Sequence, residues 1–264
     1  MNLRKHAHKM WVIAALEAAS TLGEDVLFII QFMFRWLRVV VLLSLWRAIL
    51  PEHDTAGMTL STTLTYTLIQ EVFAEQLLPR TNIEWALHDG GIAMRFLQPL
   101  DLVSQFMAHM FGGWVFGLVF FSLPLLLVAP WLGVNPAPVS LLAGALFLFS
   151  VMWTMAIGVA FDFIFAAFLT HFEGNAYMVG RVRAAVSLVL SGALVPLALL
   201  PWNLGGILQW LPFASLASAP LRIYTGTGDP RLLLAVQAVW LVVLWVVARR
   251  LWQHYREQLV SYGG

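Results

Sequence analysis

Cysteine is absent from the chain, lysine occurs only at positions 5 and 9, and charged residues make up 11% of the sequence. A soluble globular chain typically carries about 25% charged residues on its water-facing surface, so this chain cannot coat a soluble globule. The missing cysteines exclude disulfides, thiolate metal sites and a cysteine nucleophile. A phosphate-binding Gly-x-x-x-x-Gly-Lys-Ser/Thr loop is missing, as are His-Glu-x-x-His, Gly-x-Ser-x-Gly and a Thr-Val-Gly-Tyr-Gly filter. A net charge of +1 argues against a nucleic-acid partner. His6 and His8 have no neighbouring carboxylates and read as part of a solvated basic arm. No catalytic residue, metal site or cofactor of its own is expected.

Apolar residues make up 60% of the chain and fall into runs of helical length. A membrane-spanning helix needs about 20 consecutive apolar residues. The pattern predicts an all-α integral membrane protein, one transmembrane domain over 1–264 with six transmembrane helices. The expected spans are 26–50, 57–78, 102–131, 139–168, 177–200 and 231–251. Residues 3–22 combine Arg4, Lys5 and Lys9 with Trp11, Ile13, Leu16 and Leu22, which suits a helix lying in the membrane interface. No small-residue cleavage pattern follows it, so a removed signal peptide is not expected. Residues 201–229 are apolar but broken by Pro201, Pro212, Pro220 and four glycines, which predicts short re-entrant helices.

Basic residues set the orientation. Ten of them, including Arg80, Arg95, Arg181, Arg183, Arg249 and Arg250, fall on the side of the N-terminus, against Arg47, Arg222 and Arg231 on the other. Both termini are therefore expected in the cytoplasm.

Four charges stand inside the first two spans. Arg35 and Arg38 share one helix face, as do Glu71 and Glu75, and charges at membrane depth usually pair. Antiparallel packing brings Arg35 and Glu71 to similar depth, which predicts an ion pair between them, with a polar vestibule as the functional alternative. Gly113 and Gly117 match the small-xxx-small pattern of close helix packing. Asp162 reads as a capping or paired carboxylate, and His109 as an interhelical hydrogen-bonder.

Two segments carry a resemblance. One is Ile83-Glu-Trp-Ala-Leu-His-Asp-Gly-Gly-Ile-Ala-Met-Arg-Phe-Leu-Gln-Pro-Leu100. The other is Leu190-Ser-Gly-Ala-Leu-Val-Pro-Leu-Ala-Leu-Leu-Pro-Trp202 with Leu211-Pro-Phe213, Ala219-Pro220 and Ile223-Tyr-Thr-Gly226. Together with the topology they resemble permease subunits of ABC-2 type transporters, of the formerly uncharacterised, type V exporter-like branch. Gln98 stands where such permeases often have a basic residue.

The resemblance implies an amphipathic elbow helix at 3–22, re-entrant helices between spans five and six, and a cytoplasmic coupling helix at 83–99. In it Glu84, Trp85, His88, Asp89 and Arg95 would contact the ATPase subunit, with Ile83, Trp85, Leu87, Ile92 and Phe96 as anchors. ATP and Mg would bind to an ATP-binding subunit pair, and the second permease would be a related heterologous subunit rather than a second copy. The implied location is the bacterial cytoplasmic (inner) membrane, in contact with lipid, and the implied activity is export. A secondary transporter is the rival reading. A lipid-acting membrane enzyme is the third, with Glu52, His53 and Asp54 as its compact polar group.

Overall fold

The computed structural model describes residues 3–20, 25–50, 58–167 and 176–261. Glu52, His53, Asp54 and the polar break at 170–175 lie outside them. Among the described residues every extended element is helical and no strand occurs. In chain order these are α1 (Leu3–Ser20), α2 (Asp25–Ile49), α3 (Leu60–Val72), α4 (Ala74–Leu77), α5 (Ile83–His88) and α6 (Gly91–Phe96). Next come α7 (Leu102–Gly117), α8 (Leu123–Val128), α9 (Leu141–Ala167) and α10 (Ala176–Leu190). Last are α11 (Leu204–Leu208), α12 (Ser218–Thr225) and α13 (Pro230–Ser261).

Among the described residues, three stretches are long and apolar enough to cross a membrane: Leu102–Val128, Leu141–Ala167 and Pro230–His254. The first joins α7 to α8 through a π-helical turn at Leu118–Ser122, immediately before Pro124. Proline cannot donate to the carbonyl four residues back, and the wider turn accommodates its ring. The other expected spans differ in form. α2 has 25 residues but holds Arg35, Arg38 and Arg47. The second span is split at Phe73 into α3 and α4. α10 stops at Leu190, where the fifth span was expected to continue to 200. Gly192 turns the chain there with φ of +79°, and Pro196 follows.

α9 is the central helix. It packs against α13, α12, α5, α4 and α10, and its buried side chains carry the largest core cluster together with Tyr66, Phe106 and Leu221. Ser150, Thr154, Gly158 and Asp162 recur every four residues along it and are all buried. Such residues wind slowly around one face of a helix.

The first half of this stripe holds the broken segment after α10. Ser150 Oγ donates to Gln237 Oε1 at 2.7 Å, and Gln237 Nε2 donates to the Ser215 carbonyl at 2.8 Å. Thr154 Oγ1 reaches the Ser215 and Leu216 carbonyls at 3.0 and 3.1 Å. Tyr66 donates to the Gly192 carbonyl at 2.8 Å. Irregular backbone at membrane depth needs this kind of internal satisfaction.

The outside of the bundle is apolar. α2 buries Val39, Leu43 and Trp46 yet exposes Phe34, Leu37, Val41 and Leu45. Leu148, Val242 and Val246 are exposed on α9 and α13 in the same way. Soluble monomers rarely expose contiguous apolar patches beyond a few hundred Å², whereas a lipid solvent favours such a surface.

Candidate functional site

Two arginine–carboxylate clusters meet at one end of the bundle. In the first, Arg38 places both Nε and Nη2 on one oxygen of Glu71, at 3.0 and 2.5 Å. Arg35 pairs with Glu75 at 2.6 Å and donates to the backbone carbonyl of Glu71 at 3.3 Å. The expected pair of Arg35 with the Glu71 carboxylate is therefore corrected by one helical turn. In an antiparallel pair the earlier arginine faces the later glutamate, so both pairs form at once. Gly117 makes room for the Glu75 carboxylate: a Cβ there would lie 2.8 Å from its Oε1. Gly113 has no neighbour in reach of a Cβ, and α1 instead approaches α7 at Gly112, against the Ala14 carbonyl. The expected packing role of Gly113 and Gly117 is thus divided differently. His109 on α7 bonds Glu17 on α1 at 2.8 Å.

The second cluster is buried. Arg183 Nε lies 2.6 Å from Asp162 Oδ1, and each side chain is 3% exposed. Asp162 Oδ2 accepts from the Thr81 amide at 2.5 Å and from its hydroxyl at 2.9 Å. Arg183 Nη2 donates to the carbonyls of Pro79 and Gly158 at 2.6 and 3.2 Å. Pro79 occupies the space that a Cβ at Gly158 would need. The strand of backbone from Pro79 to Thr81 is thereby fastened to α9 and α10. Asp162 and Arg183 were legible separately in the sequence, but not as partners.

α5 and α6 follow directly from that fastened backbone. Ile83, Leu87 and Ile92 are buried, as expected of anchors. Glu84 and Phe96 contradict the expected division of the segment, and Trp85 departs from its anchoring role but not from its contact role. Glu84 is 7% exposed and points inward, its Oε1 filling the space beside Gly180. Burial pushes its carboxyl above the ordinary glutamate range, and the neighbouring Asp162 pushes it further. Trp85 and Phe96, expected to anchor, are 46% and 49% exposed. The outer surface therefore combines Trp85, Met94, Phe96 and Leu97 with the exposed His88 and Asp89. Arg95 is half-buried, stacked over the Phe106 ring at 4.5 Å.

Two cavities adjoin these clusters. One, of about 630 Å³, lies among α2, α3, α4 and α10, with Arg35, Arg38, Glu75 and Arg183 on its walls. The other, of about 720 Å³, lies between α1, α5, α6 and α7. Glu75, Arg80 and Trp114 line both. No group of three or more His, Asp or Glu side chains that could hold a metal ion occurs among the described residues.

A family model described as ABC-2 family transporter protein matches residues 27–263, nearly the whole chain. The chain belongs to the ABC-2 transporter family. The resemblance carried by the 83–100 and 190–226 segments is borne out by this match. Membership makes the chain a multi-pass membrane component of a transport system, its permease part. Neither the curated proteins nor the solved structures give a match.

Proposed function

We propose that the chain is the transmembrane subunit of an ATP-driven exporter in a bacterial inner membrane, powered by a separate pair of ATP-binding subunits that hold ATP and Mg. In this reading α2, the α3–α4 pair and α10 also lie at membrane depth, giving six spans with both termini cytoplasmic. α1 lies in the interface as the elbow, and 201–229 forms the re-entrant segment. A related second permease completes the transport pathway, which runs beside the cavity among α2, α3, α4 and α10.

The observation that supports this best is the α5–α6 surface. An apolar patch of Trp85, Met94, Phe96 and Leu97 flanked by His88 and Asp89 suits a groove on a partner protein. The same segment is bolted to α9 and α10 through Thr81, Asp162 and Arg183. Movement of the docked ATP-binding subunit would then carry α5, α6, α9 and α10 as one body and reshape the cavity against α2, a rigid-body switch.

The test is co-purification. The wild-type chain should bring down an ATP-binding subunit with ATPase activity. Trp85→Ala combined with Asp89→Arg should lose both while the chain still folds, because neither side chain is buried. A wild-type chain that purifies alone would contradict the transporter reading. An undiminished complex with the double variant would contradict the docking surface.

A further inference from the structure

We propose that the cavity among α2, α3, α4 and α10 binds an anionic amphiphile, with Arg80 holding the anionic head. The inference rests on the transport reading above and adds the class of molecule carried.

The cavity walls carry four guanidinium groups, Arg35, Arg38, Arg80 and Arg183, against a single carboxylate, Glu75. Three of the arginines have partners: Glu75 for Arg35, Glu71 for Arg38 and Asp162 for Arg183. Arg80 makes no hydrogen bond or ion pair among the described residues, and it is exposed at the junction of the two cavities. Glu84 and Asp162 both feel the charge of Arg80, but neither lines a cavity: Asp162 is paired with Arg183, and Glu84 sits behind the wall against Gly180.

In the second cavity Glu17 is engaged by His109, Glu75 by Arg35, and Asp89 accepts from the Gly91 amide at 3.0 Å. That lining holds Glu17, Glu75 and Asp89 against Arg80 and Arg95, so the positive excess belongs to the cavity among α2, α3, α4 and α10, where Arg80 is the arginine without an ion-pair partner among the described residues. Arg38 adds donor capacity, because Nε and Nη2 both bond one Glu71 oxygen and Nη1 remains. A guanidinium prefers phosphate or carboxylate and repels a cation.

The remaining wall is apolar. Trp114, Leu78 and Leu188 face the same space, so a charged head on Arg80 leaves an acyl or aromatic tail against them. A volume of about 630 Å³ falls within the size range of ordinary ligand pockets. The shared chemistry fits either the headgroup of an acidic lipid or a soluble amphiphilic anion.

Isothermal titration of the delipidated protein in a neutral maltoside detergent tests this with three short amphiphiles of one tail: hexyl phosphate, hexyltrimethylammonium and hexyl glucoside. Hexyl phosphate should bind saturably and at least tenfold more tightly than the other two. Arg80→Gln should weaken it about tenfold, the worth of one hydrogen bond to a charged group, and Arg80→Lys should recover most of the loss. Competition by phosphatidylglycerol assigns the anion to a lipid headgroup; binding indifferent to it assigns the site to a soluble anion; both support the site. No saturable heat, equal affinity for the cation, or unchanged affinity in Arg80→Gln overturns the inference. If an ATP-binding subunit co-purifies but anion preference is missing, this inference alone falls. Anion-selective binding by a chain that purifies alone leaves the site standing and removes the transport reading.

Discussion

The Arg183–Asp162 and Arg38–Glu71 pairs use the same chemistry at nearly the same distance, 2.6 and 2.5 Å, in opposite settings. Arg183 and Asp162 are each 3% exposed, and Arg183 Nη2 and Asp162 Oδ2 reach the backbone at Pro79, Gly158 and Thr81. Arg38 and Arg183 line the same cavity, but Arg38 is 53% exposed over a Glu71 that is 1% exposed. A buried pair gains its worth only when every remaining donor and acceptor is satisfied, and then losing one partner is severe. A pair at a wet wall exchanges partners with water at modest cost. The first pair therefore works as a lock between the backbone leading to α5 and the helices α9 and α10. The second works as a charged lining.

The largest effect should come from breaking the lock. Arg183→Ala leaves the Asp162 carboxylate buried without its cation, and should lower stability by about 3–5 kcal/mol in thermal unfolding in detergent. Arg183→Met with Asp162→Asn should recover more than half of that loss, since no unpaired buried charge remains. A single variant as stable as wild type would remove the distinction between the two clusters.

Arg38→Ala comes next. It exposes a buried Glu71 to the cavity and should cost about 1–3 kcal/mol, the range for hydrogen bonds to charged groups. Arg35→Ala should cost less, about 1 kcal/mol or below, because Arg35 and Glu75 are 22% and 37% exposed. Chemical denaturation of the two variants side by side gives this order, and the reverse order would contradict the assigned partners.

The smallest effect concerns pH. Glu84 has its carboxyl raised by burial and by Asp162. A group raised in the folded state contributes stability below its unfolded range and loses it as pH rises through its folded value. Glu84→Gln should therefore be more stable than wild type at neutral pH, and the difference should shrink in mildly acidic solution. A difference in melting temperature that stays constant across that window would contradict the burial of an ionisable Glu84.

Much of this was legible in the sequence. Arg35, Arg38, Glu71 and Glu75 announce themselves as charges within apolar runs at helical spacing, and only their register needed the structure. Pro201, Pro212 and Pro220 predict the broken segment that Gln237 and Thr154 hold in place. The lock was hidden because Arg183 reads as a basic flank of a span, and flanking arginines usually face lipid headgroups. The four-residue recurrence of Ser150, Thr154, Gly158 and Asp162 was the available signal for a buried polar face. Glu84 turned inward, and Trp85 kept only its expected contact role, because a six-residue helix is too short for its pattern to fix a face. Gly180, almost a hundred residues away, provides the space that admits Glu84.

The absence of cysteine makes the decisive measurement simple, since introduced spin labels meet no background thiol. Pairs at Ala93 with Val182, and at Ala93 with Phe34, report α6 against α10 and against α2 from exposed positions. In the complex with its ATP-binding subunit, trapping the nucleotide-bound state should leave the Ala93–Val182 distance unchanged and shift the Ala93–Phe34 distance. A change in the first as large as in the second, or no change in either, would contradict a single body of α5, α6, α9 and α10 moving against α2.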